Sequence, residues 1–330
     1  MKKKNFISLS VLIFIFSVTH ARADGFQKSK FVPPEGNVLV FVGQDKDTID
    51  KYHKAVGITP AGVMVYTSIQ KMDGLYAPAD YGSGDQHMQW LIEQFPDSAI
   101  QIGLYMVGAL DMVTAGAFDD HIVKLAKFFN DHDCPFYLRI GYEFDSPLND
   151  YAPGKYIEAY RYIVNHLRDQ GVDNVAYVWH AHGPIYDRPQ MDWYPGDDFV
   201  DWVGVSYFSP YNTDGLQRIA DLCKSLNKPL MLAESTPIKL ETKNGEDTWK
   251  RWYRFVFKHI DDYNVKAFCY INSYWDSMPM WAKDKWGDAR VEENEYIKEK
   301  WIEAMNDQKF LHGHDGLFGA LGYSKKGANP

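Results

Sequence analysis

Glu143 and Glu234 are the two residues of this sequence best placed for acid–base chemistry. Each closes an apolar run: Tyr137-Leu138-Arg139-Ile140-Gly141-Tyr142-Glu143 and Pro229-Leu230-Met231-Leu232-Ala233-Glu234. A carboxylate at the end of such a run carries a desolvation cost, so two of them in matching positions point to use rather than accident. Cleaving a glycosidic bond requires a proton on the leaving oxygen and a nucleophile or base at the anomeric carbon. Carboxyl groups tuned by their surroundings supply both. Glu143 is expected as general acid/base and Glu234 as nucleophile. Carboxyls about 5 to 5.5 Å apart would make the reaction retaining, and about 6.5 Å or more would make it inverting.

These residues need a frame that brings distant parts of the chain together. Eight short apolar runs recur along the sequence: Val38 to Val42, Gly62 to Tyr66, Ile100 to Met106, Phe136 to Gly141, Val175 to Trp179, Val200 to Val205, Leu230 to Ala233 and Ala267 to Ile271. Each is nearly all apolar, as a parallel strand covered on both faces must be. Between them lie stretches with helical periodicity, among them Gly84 to Phe95, Asp119 to Asn130, Pro153 to Gln170, Asp214 to Leu226 and Glu246 to Asp262. Asp119 and Pro153 fall at helix starts, and Gly171 where a C-cap belongs. From Val38 to Ile271 the units average about 29 residues, the size of a strand, a helix and two loops. The expected fold class is α/β, a single-domain (β/α)8 TIM barrel. A doubly wound sheet is disfavoured because Gly43-Gln44-Asp45-Lys46 is no glycine-rich phosphate loop.

In such a barrel the strand C-termini form the site. Alternation places Arg139, Gly141 and Glu143 on one face. Arg139 can then support a carboxylate from below, favouring the ionised form that a nucleophile needs, and Gly141 leaves room in the layer beneath. Other strand ends offer Trp179, His180 and His182, then Tyr207, then Asn272, Tyr274 and Trp275. Tyr207 is a candidate to orient the nucleophile and Trp275 to floor a sugar subsite.

The ends of the chain are distinct. Lys2 to Lys4, an apolar stretch from Phe6 to Val18 and Ala21-Arg22-Ala23 have the form of a secretory signal peptide over 1–23, implying a secreted or periplasmic protein. Residues 24–307 form the expected catalytic domain, and 308–330 a Gly-rich, aperiodic C-terminal tail. No later run is long and apolar enough to span a membrane. A net charge of −9, mixed along the chain, argues against nucleic acid and suits a neutral polysaccharide. Aromatic residues make up 15%, a supply of rings on which sugars stack. Cys134, Cys223 and Cys269 lack metal-ligand spacing, and no cofactor or metal is expected. Two rival classes are a metal-dependent barrel hydrolase drawing on His180, His182, Asp197 and Asp198, and a barrel that binds sugar without cleaving it. No early His-x-His supports the first, and the presence of both glutamates speaks against the second.

An acid/base glutamate after the fourth strand and a nucleophile after the seventh resemble the large clan of retaining barrel glycosidases. Within it, three stretches resemble glycoside hydrolase family 26: Leu138 to Phe144, Trp193 to Gly204 and Lys228 to Glu234. The resemblance spans roughly Val38 to Trp275. It implies a hemicellulase; the candidate substrate-binding residues are Arg139, Tyr142, Trp179, His180, Tyr207 and Trp275, and endo action is expected because no long insertion walls one end of the cleft. It also implies that Tyr207, or Tyr211 nearby, hydrogen-bonds the nucleophile. The family's β-1,4-mannanases usually carry His just before the acid/base, where this chain has Tyr142. Gly141-Tyr142-Glu143-Phe144-Asp145, with Phe41-Val42-Gly43-Gln44-Asp45, is more similar to its β-1,3-xylanases, so β-1,3-xylan is the expected substrate and mannan the alternative.

Overall fold

The computed structural model describes residues 26, 28–183, 188–210 and 212–325. The expected signal peptide and Tyr211 lie outside them. Eight parallel strands close on themselves: β1 (Val38–Gly43), β2 (Gly62–Ser68), β3 (Ala99–Tyr105), β4 (Phe136–Ile140), β5 (Val175–Ala181), β6 (Trp202–Tyr207), β7 (Leu230–Ser235) and β8 (Ala267–Ile271). Each pairs with the next, and β8 returns to β1 with Leu39 opposite Ala267 and Gly43 opposite Ile271. This is the (β/α)8 barrel that the apolar runs predict. The strands are buried along most of their length, which is why the runs read as continuous rather than alternating.

Helices α1 (Lys46–Val56), α2 (Met88–Gln94), α3 (Asp119–Asp131), α4 (Pro153–Asp169), α5 (Thr213–Leu226), α6 (Arg254–Asp262) and α7 (Glu295–Met305) pack outside. Asp45 caps α1 by accepting from the amides of Asp47 and Thr48 at 3.1 and 3.0 Å, and Pro153 opens α4 at a position that needs no N–H. Two departures from periodicity stand out. The helix expected from Gly84 begins at Met88, because Asp80 accepts from the amides of Gly82 and Gly84, and Asp85–Gln86 then pair antiparallel with Ala79–Asp80. The crossover after β5 is built, among the described residues, from 3-10 turns at Gln190–Trp193 and Asp197–Phe199 rather than from an α-helix.

Layers of side chains fill the interior. At the base, Tyr137 packs edge-on against Phe41 and Trp202. The N-terminal segment plugs this end: the Tyr137 phenol donates to the Phe31 carbonyl at 2.7 Å, and the Trp202 indole to that of Lys30 at 2.8 Å. The C-terminal segment seals it further. β9 (Phe310–Leu311) pairs beside β1, and Tyr323 packs on Phe31 and donates to Asp133 at 2.6 Å. Above lies Gln101, with its amide nitrogen 3.1 Å from Met231 Sδ and 3.3 Å from Cys269 Sγ. All three cysteines are free and buried.

Candidate active site

The mouth is assembled from strand ends whose phase decides which side chains enter it. On β2, Gly62, Met64 and Tyr66 share one face, so Tyr66 reaches the mouth. Gly103 on β3 clears the space, since a Cβ there would lie 2.6 Å from the Tyr66 ring and 2.9 Å from Arg139 Nη2. Arg139 on β4 is fully buried, its guanidinium 5.0 Å from the Tyr66 ring centre and 5.2 Å from that of Tyr142. The cation is thus bracketed by two aromatic faces.

Glu234 enters by a different device. Met231 points inward, so strict alternation would send Ala233 and Ser235 in and turn Glu234 out. A bulge prevents this. Val205 faces Leu232 but Ser206 faces Glu234, and on the other side Phe268 faces Leu232 but Tyr270 faces Ser235. The extra residue of β7 rotates Glu234 into the mouth. Its Oε1 accepts from Arg139 Nη1 and, at 2.8 Å, from the Tyr66 hydroxyl.

Glu143 lies beyond β4, which ends at Ile140. Gly141 and Glu143 both take positive φ, 55° and 53°, so simple alternation does not place Glu143. Nor does Gly141 leave room beneath it as expected. Its Cβ would point outward, into Met106 at 2.7 Å and the Tyr156 ring of α4 at 2.9 Å. The turn is held by Asn149, which donates to the carbonyls of Tyr142 and Glu143 at 3.0 Å each. Glu143 Oε1 accepts from Ser206 Oγ at 2.6 Å. Burial, and next to it the charge of Glu234, push the Glu143 carboxyl up to about 7, against the opposing pull of His182, Ser206 and Arg139. Among the described residues, Oε2 of each glutamate has no hydrogen-bond donor.

His180 is fully buried between these groups, with Nδ1 3.2 Å from Arg139 Nη1 and Nε2 3.0 Å from Ser206 Oγ. Burial holds its pKa well below the usual histidine range, and Arg139 and His182 act in the same sense. Tyr142, half-buried, meets Tyr66 at 5.4 Å and leads outward to the exposed Tyr105.

Three expected substrate contacts fall elsewhere. Trp179 follows the outward phase set by His180, stacks on Phe144 at 4.4 Å and donates its indole N–H to the Trp193 carbonyl, with no ring face left for a sugar. Tyr207 is outward because Ser206 is inward. Its ring packs on Trp252 and His259, and the hydrogen bond to Glu234 is made by Tyr66 instead. Trp275 is buried beneath Trp286 and Trp281, which stack on each other at 4.8 Å. These two half-buried tryptophans, continued by Phe208 at 6.0 Å from Trp286, form an aromatic wall above Trp275. Among the described residues no group of three or more His, Cys, Asp or Glu could hold a metal, and no helix is long and apolar enough to cross a membrane.

The model of glycosyl hydrolase family 26 matches residues 144–241, a span that contains Glu234 and begins one residue after Glu143. A β-1,3-xylanase from Vibrio sp. is 37% identical over 322 residues, covering 89% of this chain and 70% of that protein. Another, from Alcaligenes sp., is 35% identical over 328 residues, covering 91% and 70%. The chain belongs to glycoside hydrolase family 26. A family 26 β-mannanase from Bacteroides ovatus shares the fold of this family member at a TM-score of 0.66 and 16% identity, covering 89% of this chain and 95% of that one. The chain is therefore a glycosidase that acts on polysaccharide.

Proposed function

We propose that this glycoside hydrolase is a secreted, retaining endo-β-1,3-xylanase with Glu143 as acid/base and Glu234 as nucleophile. One observation carries the mechanism: the carboxyl of Glu143 is pushed up to about 7 while Glu234 Oε1 is held by a buried arginine and a tyrosine. Two carboxyls in such different surroundings divide the labour of a double displacement.

Below pH 7 Glu143 carries a proton, which it passes to the glycosidic oxygen as Glu234 attacks the anomeric carbon. Aglycone departs and a glycosyl ester forms on Glu234. Esterification removes the negative charge that raised the Glu143 pKa, so the pKa falls and Glu143, having given up its proton, stays ionised and serves as the base. It takes a proton from water, whose oxygen displaces Glu234 with a second inversion. The net result is retention.

The substrate reading rests on Tyr142 in place of histidine and on two relatives named β-1,3-xylanases across most of the chain. Export rests on the pattern of residues 1–23. Product analysis on β-1,3-xylan, β-1,4-mannan, β-1,4-xylan and mixed-linkage glucan tests the substrate. Oligosaccharides from β-1,3-xylan alone are expected, with the β-anomer first to appear by NMR. Release from mannan alone would reassign the chain to the family's β-1,4-mannanases, and initial α-anomer would rule out retention.

A further inference from the structure

A carboxylic acid that must deliver one proton to a defined point has two oxygens, and nothing in the β4 ladder holds the Glu143 side chain. Its Oε1 is engaged by Ser206, at 2.6 Å. Ser206 Oγ lies 3.0 Å from His180 Nε2, and His180 Nδ1 lies 3.2 Å from Arg139 Nη1. The direction of every bond in this chain follows from its first member. A guanidinium has only N–H groups to give, so His180 Nδ1 accepts. A neutral imidazole then carries its hydrogen on Nε2 and donates it to Ser206. The Ser206 hydroxyl, receiving on its oxygen, turns its own hydrogen to Glu143 Oε1. Burial of His180 favours the neutral ring that this ordering needs.

Given Glu143 as the acid/base, we infer that Ser206 is a positioning residue for it, backed by His180 and Arg139, and that this ordered chain confines the transferable proton to Oε2. A proton on Oε1 would meet the Ser206 hydrogen head-on, and among the described residues that hydrogen has no second acceptor. Arg139 Nη1 also donates to Glu234 Oε1, so one nitrogen fixes the orientation of both glutamates and leaves Oε2 of each for the sugar. The β7 bulge makes this compact, because it brings Ser206 and Glu234 into register as neighbours.

The charged and titratable groups facing Glu143 are Glu234 on β7, Arg139 on β4, His182 after β5, and Tyr142 and Tyr151 on either side of its loop. Those facing His180 are Arg139, His182 and Tyr142, whose ring lies along the imidazole at 6.5 Å. Ser206 is the uncharged one. Its hydroxyl stabilises the ionised form of Glu143, so removing it raises the pH at which the proton is lost.

The test compares full-length Ser206→Ala and Ser206→Thr on the polysaccharide and on an aryl glycoside whose phenol leaves without protonation. Ser206→Ala is expected to lose about tenfold or more in kcat/KM on the polysaccharide, to change little on the aryl glycoside, and to move the alkaline limb of the polysaccharide profile upward. Ser206→Thr, which keeps the hydroxyl, retains the parent's polysaccharide rate and the position of the alkaline limb. Equal losses on both substrates with an unmoved limb would overturn the assignment, since packing alone would produce them. Glu143→Ala separates the layers. If it keeps polysaccharide activity, the reading of Glu143 itself fails; if it behaves as an acid/base variant while Ser206→Ala leaves the limb in place, only the role of Ser206 fails.

Discussion

The Tyr66 phenol donates to Glu234 Oε1 at 2.8 Å, joining β2 to β7 through the mouth of the barrel. The same oxygen accepts from Arg139, whose guanidinium lies across the Tyr66 ring. Tyrosine and arginine therefore act on one atom of the candidate nucleophile, leaving the other to attack.

Replacing Tyr66 by Phe keeps the ring over Arg139 and removes only the hydroxyl. A hydrogen bond to a charged group contributes about 1.5–3 kcal/mol. The expected loss in kcat is therefore about 10- to 100-fold, with KM nearly unchanged, on an activated aryl glycoside. An effect confined to KM would mean that Tyr66 serves binding rather than the reacting carboxylate.

Arg139 and Glu234 form an ion pair buried at 0% and 9% side-chain exposure. Removing one partner of such a pair strands the other, at a cost of about 3–5 kcal/mol. Arg139→Met should lower stability by that order in denaturant unfolding, and adding Glu234→Gln should recover much of it. A single variant within 1 kcal/mol of the parent would show that the pair is relaxed by solvent.

Glu143 makes a prediction of opposite sign to most carboxylates. Its folded-state pKa is raised from 4.5 to about 7, first by burial and then by Glu234. The stability tied to its protonated form is complete below 4.5 and lost as pH rises through 7. Glu143→Gln mimics that form at every pH. It should leave unfolding stability unchanged near pH 4 and raise it by roughly 3 kcal/mol near pH 8. In the parent, kcat/KM should fall above about pH 7 as the acid is lost. A Glu143→Gln variant that is no more stable than the parent at pH 8 would refute the raised pKa.

Much of the barrel was legible because strands covered on both faces write themselves as apolar runs, and all eight were found within a few residues of their bounds. The glutamates were legible for the same reason, as the acids that end those runs. Side-chain phase was not. Trp179 and Tyr207 each sit one residue from the inward-facing His180 and Ser206, and a single-residue error in phase sends a side chain to the opposite face. Glu234 shows the converse, since it enters only by a bulge that no periodicity announces. Tyr66 carried a readable signal in Gly62, Met64 and Tyr66 on one face of β2, ending in a hydroxyl. Ser206 carried none, because a serine inside an apolar strand has many ordinary uses. Trp281 and Trp286 lie in the long segment after β8, where helical and strand periods are both silent.

Those two tryptophans support the last prediction. They stack on each other at 4.8 Å with Trp275 packed beneath Trp286, and Phe208 extends the surface toward His182. Half-buried rings on a rigid base offer apolar area to a sugar face at little ordering cost. The wall is separate from the Tyr66–Arg139–Glu234 contacts, so it should contribute to holding a long chain and not to the reacting bond. Trp286→Ala is expected to raise KM on the polysaccharide by about tenfold, equivalent to about 1.4 kcal/mol. It should leave kcat on a short aryl glycoside within about twofold of the parent. Oligosaccharide binding should also quench tryptophan fluorescence in the parent and less in the variant. If Trp286→Ala instead lowers kcat on both substrates alike, the wall is part of the frame that positions the glutamates rather than a subsite.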